Sequence, residues 1–288
     1  MALFKQVTIV GLGLIGGSLG MAIRRRRIAT TVVGLSRSAA TVSRARRRGA
    51  IDWGATEARL AVAAADVVVV STPVDAIVPS ALRVARWMRP GTLLLDVGST
   101  KAEVVRILDR RLPHHVSYVG CHPLAGSEQR GIGAAQSRLF EASVCLVTPT
   151  PRTSQLAKRR VVSFWKALGC RVVCLSSAHH DRLLASTSHL PHLVAYCLAG
   201  TVRPMRRATI APSFLEMTRI AHSDPQLWDD IFFSNRAALL TLIDGFDRYW
   251  HRLRAALLRR NRAGLRRLLA RARAQHHLFI HEAISTRR

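Results

Sequence analysis

Residues 7–16 read VTIVGLGLIG, an apolar β-branched run that leads straight into G-x-G-x-x-G, with a helical pattern over residues 17–26. In that context Gly11 permits a tight turn, Gly13 lets a pyrophosphate approach the backbone, and Gly16 allows the following helix to pack closely on its strand. The start of a helix presents unpaired N–H groups to an anion, so Gly11, Gly13, Leu14, Ile15 and Gly16 are expected to bind a dinucleotide. Thr72, just past the third apolar run, is a further candidate contact. At the end of the second run, where an acidic residue would accept hydrogen bonds from an adenine ribose, the chain carries Ser36 and Arg37. A hydroxyl and a planar cation suit a 2′-phosphate, which predicts NADP rather than NAD.

Three further clusters hold polar residues that are hard to explain as fold alone. Residues 96–101 (DVGSTK) close the fourth apolar run, 120–128 (GCHPLAGSE) close the fifth, and 186–192 (STSHLPH) open the second half of the chain. Ligands of an open α/β sheet sit outside the carboxyl ends of its strands, so the first two clusters point to the crevice of the dinucleotide. The histidine pairs at 114–115, 179–180 and 276–277 are adjacent in sequence, and neighbours on one element point apart; with no metal-ligand spacing beside them, no metal is expected.

The elements that must position these groups follow from periodicity. Strands are predicted at 6–10, 31–35, 66–71, 92–97, 116–121, 143–148 and 171–175, alternating with helix-length amphipathic segments, which is the pattern of βαβ units around a mostly parallel sheet. Five runs are almost uninterrupted apolar stretches, as strands covered on both faces must be. Beyond residue 176 apolar residues recur at three- and four-residue spacing through 183–199, 227–249 and 253–284, which predicts helices. The expected fold is α/β, an N-terminal Rossmann-type doubly wound sheet over residues 1–176 followed by an all-α domain over 177–288. Leu257, Leu258, Leu265, Leu268, Leu269 and Ala272 would form one apolar stripe on the last helix, a surface that packs on something.

The chain of 288 residues holds 40 arginines and four lysines, with a formal net charge of +27. Such an excess suits a polyanion, yet the arginines are spread along the whole chain, as in a drift toward Arg on solvated faces. Neither a specific nucleic acid nor a membrane is expected as partner. No apolar run approaches the roughly 18 residues of a membrane span. Five cysteines without a C-x-x-C pair, and no secretory pattern at the start, predict reduced thiols in a cytoplasm.

In order along the chain, GLGLIGGS (11–18), DVGSTK (96–101), GCHPLAGSE (120–128), SHLPH (188–192) and MTRIAHSDPQLWDDIFFSN (217–235) resemble the prephenate/arogenate dehydrogenase family of tyrosine biosynthesis. The resemblance spans nearly the whole chain. It implies oxidative decarboxylation of a cyclohexadienol, prephenate to 4-hydroxyphenylpyruvate and CO2 or arogenate to tyrosine, and a helical domain through which two subunits form a homodimer. It further implies that His122 takes the proton of the ring hydroxyl, a role suited to an imidazole of unperturbed pKa about 6.5. Ser99 matches the serine that orients this histidine and the hydroxyl. Arg219 matches an arginine that clamps a substrate carboxylate with its planar fork of donors, Ser188 and His192 match residues lining the pocket, and Ser127 and Glu128 complete the substrate set. Glu128 and Glu216 correspond to acidic positions near the pocket mouth, and His189 stays unassigned.

One stretch departs from the family pattern: where many members carry a run of glycines, residues 210–214 read IAPSF, which predicts a stiffer approach to Arg219. No room is expected for a fused mutase or regulatory domain, so tyrosine inhibition would act at the active site. A reductase of the β-hydroxyacid or imine type is disfavoured because those enzymes use a lysine early in the second domain, and no Lys follows Lys166.

Overall fold

The computed structural model describes residues 2–127, 129–203 and 210–285. Eight strands form one sheet: β1 (Phe4–Val10), β2 (Ala29–Leu35), β3 (Trp53–Ala55), β4 (Val67–Val70), β5 (Leu93–Asp96), β6 (Ser117–Pro123), β7 (Val144–Thr148) and β8 (Arg171–Cys174), in spatial order 3-2-1-4-5-6-7-8. All neighbours are parallel except β6 and β7. The order reverses between β1 and β4, which opens a crevice at their carboxyl ends. Seven strands fall where periodicity predicts them. The eighth, β3, is three residues at the sheet edge, too short to carry a period.

The central strands are apolar on both faces because both are covered. Val67 and Val69 join one buried cluster with Ile9, Leu19, Phe164 and Trp165, while Val68 and Val70 join the other with Ile77, Leu94 and Leu108. Helices α1 (Leu14–Arg25) and α6 (Gln155–Ala167) supply the first cluster; α4 (Val74–Ala85) and α5 (Ala102–Arg111) supply the second. Two short helices, α2 (Ala39–Arg47) and α3 (Ala58–Val62), connect the edge strands. Because β7 runs back against β6 rather than crossing over, the chain between them stays at the carboxyl edge, beside α1. There Ile132 packs against Gly17, where any larger residue would collide with it, and Gln136 N–H donates to Ser18 Oγ at 2.9 Å.

After β8 the chain is helical: α7 (Ser177–Leu184), a π-helical turn (Ala185–His189), α8 (Leu190–Thr201), α9 (Pro212–Thr218), a 3₁₀ turn (Arg219–His222), α10 (Pro225–Ser234), α11 (Arg236–Leu258) and α12 (Arg262–Ser285). Helix α10 returns to the sheet domain and buries Trp228 and Ile231 in the second apolar cluster.

The chain divides into two compact units, residues 1–238 and 239–288. The second holds most of α11 and all of α12, and Tyr249 Oη donates to the Leu268 carbonyl between them at 2.7 Å. The apolar stripe expected on one final helix is split: Leu257 and Leu258 end α11, and Leu265, Leu268, Leu269 and Ala272 lie on α12. The break falls where Arg260 adopts a positive φ of 50° and Asn261 Oδ1 caps the Gly264 N–H. Among the described residues no helix is long and apolar enough to cross a membrane.

Candidate active site

The glycine turn is built as a cradle. Gly11 has φ +93°, and a Cβ on Gly16 would stand 1.9 Å from the Gly11 carbonyl oxygen, so no other residue closes the turn this tightly. Ser71 Oγ donates to that carbonyl at 2.6 Å. Gly13 is the N-cap of α1 and offers no side-chain cap, so the first N–H groups of the helix, including those of Leu14 and Ile15, lack a side-chain acceptor. A Cβ on Gly13 would meet nothing within 4 Å, and Thr72 Oγ1 is buried without a hydrogen-bond partner. Open space, uncapped donors and an orphaned hydroxyl at the crevice fit a dinucleotide phosphate.

Ser36 Oγ accepts from the Ser38 N–H at 3.3 Å, and Arg37 is exposed just past β2. The cavity beside the turn has a lining that the motif alone did not indicate: Gly13 shares a volume of about 640 Å³ with Thr41, Arg44, Arg47, Arg48 and Arg130, and among the described residues no carboxylate lines it. Arg44 and Arg47 lie on the last turn of α2 and Arg48 caps its end, a spacing that is visible in sequence but hard to distinguish among 40 arginines.

A second cavity, about 370 Å³, lies where β5 and β6 end. Ser99, His122, Ser127, Ser188, His192 and Arg219 all line it, together with His189 and Trp228. Glu128 lies outside the described residues, and Glu216 is exposed on α9 and does not line the cleft. The loop carrying Ser99 is held from below by a buried charge cluster. Asp96 accepts from Lys101 Nζ, from Tyr118 Oη at 2.8 Å and from the Gly98 N–H at 2.9 Å. Lys101 and Asp96 are both fully buried, so removing either would strand a charge at a cost of about 3–5 kcal/mol. Burial and the Asp96 carboxylate push the Tyr118 phenol well above its usual range, which keeps it a donor.

His122 projects from β6, and its Nδ1 lies 2.9 Å from His180 Nε2. His180 Nδ1 in turn lies 2.7 Å from Asp181 Oδ1. The carboxylate of Asp181 also accepts the Lys101 and Ala102 N–H groups, each at 2.8 Å, and thereby caps α5 from another element. Burial first, then the neighbouring His180 and Lys101, holds His122 well below the ordinary imidazole range. It is therefore neutral at pH 7, with a lone pair on one nitrogen. Burial opposes ionisation of Asp181, but the His180 and backbone donors outweigh it and keep its carboxyl below the usual value.

The histidines of the helical half owe their placement to Pro191. A proline cannot donate and its ring would collide with the carbonyl four residues back. The helix widens into the π turn just before it, aided by Ser186 and Thr187, whose hydroxyls both donate to the Leu183 carbonyl. His189 Nδ1 meets Asn235 Nδ2 at 3.1 Å, and burial lowers its pKa to about 4. The amide is the donor there, so the neutral ring carries its proton on Nε2. His192 is the reverse: Nδ1–H donates to the Ser188 carbonyl at 2.8 Å, leaving Nε2 as acceptor. Its ring stacks on Trp228 with centroids 3.6 Å apart. Trp228 is a lining residue that only its place inside the 217–235 motif could have suggested.

Arg219 stands on the opposite wall in the 3₁₀ turn, exposed, with no carboxylate partner among the described residues. The turn is tied at its end by Tyr196 Oη, which donates to the Ser223 carbonyl at 2.6 Å, and Asp224 both caps α10 and pairs with Arg130. Among the described residues no group of three potential ligands could hold a metal ion.

The cleft thus combines a neutral imidazole, two further imidazoles of opposite hydrogen-bonding sense and a guanidinium with no carboxylate partner among the described residues, beside a dinucleotide cradle. Family models of prephenate dehydrogenase match almost the whole chain, the nucleotide-binding domain over residues 19–174 and the dimerization domain over 176–271. The cyclohexadienyl dehydrogenase of Zymomonas mobilis is 36% identical over 264 residues, covering 89% of this chain and 90% of that protein. The prephenate dehydrogenase of Bacillus subtilis is 32% identical over 255 residues, covering 86% and 69%. A crystal structure of prephenate dehydrogenase from A. aeolicus, in complex with hydroxyphenyl propionate and NAD+, superposes with a TM-score of 0.85 at 28% identity, over 96% of this chain and 98% of that one. The chain belongs to the prephenate dehydrogenase family, oxidoreductases that use a nicotinamide cofactor.

Proposed function

We propose that the protein converts prephenate to 4-hydroxyphenylpyruvate and CO2, with NADP as its cofactor. The observation that carries this reading is that His122 and Arg219, from opposite halves of the chain, open onto one cleft. His122 Nε2 accepts the proton of the ring hydroxyl, for which a neutral imidazole is the suitable base. Ser99 orients that hydroxyl. Arg219 pairs with a substrate carboxylate by charge-assisted hydrogen bonds, and Ser127, Ser188, His189 and His192 surround the remainder of the substrate. Gly11, Gly13, Leu14, Ile15, Gly16 and Thr72 would hold the dinucleotide, and a bound nicotinamide supplies the acceptor for the two electrons that leave the ring.

The choice of NADP is supported by Ser36 and Arg37 and by the acid-free arginine lining next to Gly13, which together suit a ligand carrying a further phosphate. We assign residues 1–176 to cofactor binding and 177–288 to substrate binding and homodimer formation, supported by exposed Trp250, Leu258 and Phe279 on the final helices. Five free thiols support a cytoplasmic setting. A small-molecule substrate accounts for the cleft without nucleic acid or membrane.

A second reading, arogenate as substrate, is favoured by His192. Its Nε2 is an acceptor, complementary to an ammonium and not to a keto oxygen. The deciding experiment follows NADPH absorbance with purified protein, each dienol and each cofactor. Turnover of prephenate with preference for NADP is expected. Turnover of neither dienol would overturn the dehydrogenase reading, and preference for NAD would overturn the cofactor assignment.

A further inference from the structure

We infer that His180 and Asp181 are positioning residues for His122: they hold its imidazole in the tautomer whose Nε2 lone pair faces the cleft, and they take up charge when that nitrogen is protonated. The inference rests on the dehydrogenase reading above and extends it to two residues on α7.

The tautomers follow one from another. The Asp181 carboxylate can only accept, and it already accepts the Lys101 and Ala102 N–H groups at the start of α5. His180 Nδ1, 2.7 Å from it, must therefore carry a hydrogen. A neutral His180 then has a lone pair on Nε2, and that atom faces His122 Nδ1 at 2.9 Å. His122 Nδ1 must donate across this contact. Its Nε2 is left as the base. Without His180 the ring would be free to adopt the other tautomer, whose Nε2–H cannot accept a proton.

The proton count closes without another reactant. As the O–H bond of the ring hydroxyl breaks, its proton bonds to His122 Nε2. The Nδ1 proton of His122 can then pass to His180 Nε2, so that the positive charge rests on an imidazolium in contact with the Asp181 carboxylate. The charged and titratable groups that face this pair are Lys101 and Asp96 from the β5–α5 connection, which neutralise each other, His189 from the π turn, and Asp181 itself. Asp181 is the only unneutralised anion among these described groups. His180 is fully buried, and this contact with Asp181 explains how a polar ring is accommodated there.

The test uses two variants of the intact enzyme. His180→Gln retains an acceptor for His122 Nδ1 but ends the path to Asp181, while His180→Phe keeps the ring volume and removes both. With prephenate and saturating cofactor, His180→Phe is expected to lower kcat about 10–100-fold, the usual scale for outer-shell partners, with KM within about threefold. The acid limb of the kcat profile moves to higher pH, because His122 loses the neighbouring ring that helps to hold it below the ordinary imidazole range. His180→Gln recovers part of the rate, because its amide oxygen still accepts from His122 Nδ1 and keeps the tautomer. A role in folding alone would move neither the limb nor the ordering of the two variants, so His180→Phe with wild-type kcat and an unshifted limb would overturn the inference. Should the variants not fold, ¹⁵N NMR of histidine-labelled wild-type protein tests the same point. Protonated Nδ1 and unprotonated Nε2 on His122 are expected, and the opposite tautomer would overturn it. Absence of dienol turnover by wild-type protein defeats the dehydrogenase reading instead, and the nitrogen assignment still decides the tautomer.

Discussion

The two walls of the substrate cleft are made differently. The His122 wall is a buried polar lattice in which Asp96, Lys101, Tyr118, His180 and Asp181 have their partners inside the protein. The Arg219 wall is a short exposed 3₁₀ turn with no buried residue, held by Tyr196 at one end, and its guanidinium meets no carboxylate among the described residues. The difference teaches which part of the chemistry is prepared in advance. A base must have its tautomer and pKa set before the substrate arrives, and a lattice of buried hydrogen bonds does that. A carboxylate clamp needs its donors unengaged until the ligand fills them.

The largest expected effect lies on the prepared wall. His122→Asn should lower kcat by about 10²–10⁴-fold in steady-state assays, and near-wild-type turnover would make the lattice merely structural. On the other wall Arg219→Gln should act chiefly on KM, raising it about 10–100-fold, since a hydrogen bond to a charged group contributes about 1.5–3 kcal/mol. If kcat fell instead with KM unchanged, the contrast between the walls would collapse.

The prepared wall was also the less legible of the two in sequence. The His122 motif and the Arg219 motif could each be recognised, but the His179-His180 pair read only as an unsuitable metal site. Its function depends on α7 meeting the start of α5, some 80 residues earlier in the chain, and no local period encodes such a contact. The glycine turn, in contrast, was legible because strand, turn and helix are consecutive. The sheet was legible in its long apolar strands and not in β3, whose three residues hold no period, nor in the antiparallel return of β7, which depends on where a loop travels. The π turn could not be foreseen as such, although Pro191, its cause, is plain in the sequence.

A smaller effect concerns the cofactor crevice. Arg37→Ser should reduce the preference for NADP over NAD by about tenfold, measured as the ratio of kcat/KM, the loss expected for one charge-assisted contact. An unchanged ratio would shift that role to Arg44 on α2 and Arg48 at its C-terminal end.

The smallest effect is on stability and sharpens the claim that the wall is buried in neutral form. His189 titrates near 4 when folded and near 6.5 when unfolded. The unfolded chain therefore binds more protons between these values, and the stability this residue contributes is complete above about pH 6.5 and lost as pH falls toward about 4. His122, His180 and His192 shift in the same direction. Urea midpoints should fall over that window in wild-type protein and fall less in His189→Asn; identical pH dependence in the two would contradict the assignment.

The account as a whole requires both walls to hold one molecule at once. A crystal structure of the enzyme with NADP and a hydroxyphenyl product analogue measures this directly. The phenolic oxygen is predicted within about 2.6–3.2 Å of His122 Nε2, with a carboxylate of the same molecule about 2.7–2.9 Å from the Arg219 fork. An analogue that bonds Arg219 while its hydroxyl points away from His122 would contradict it.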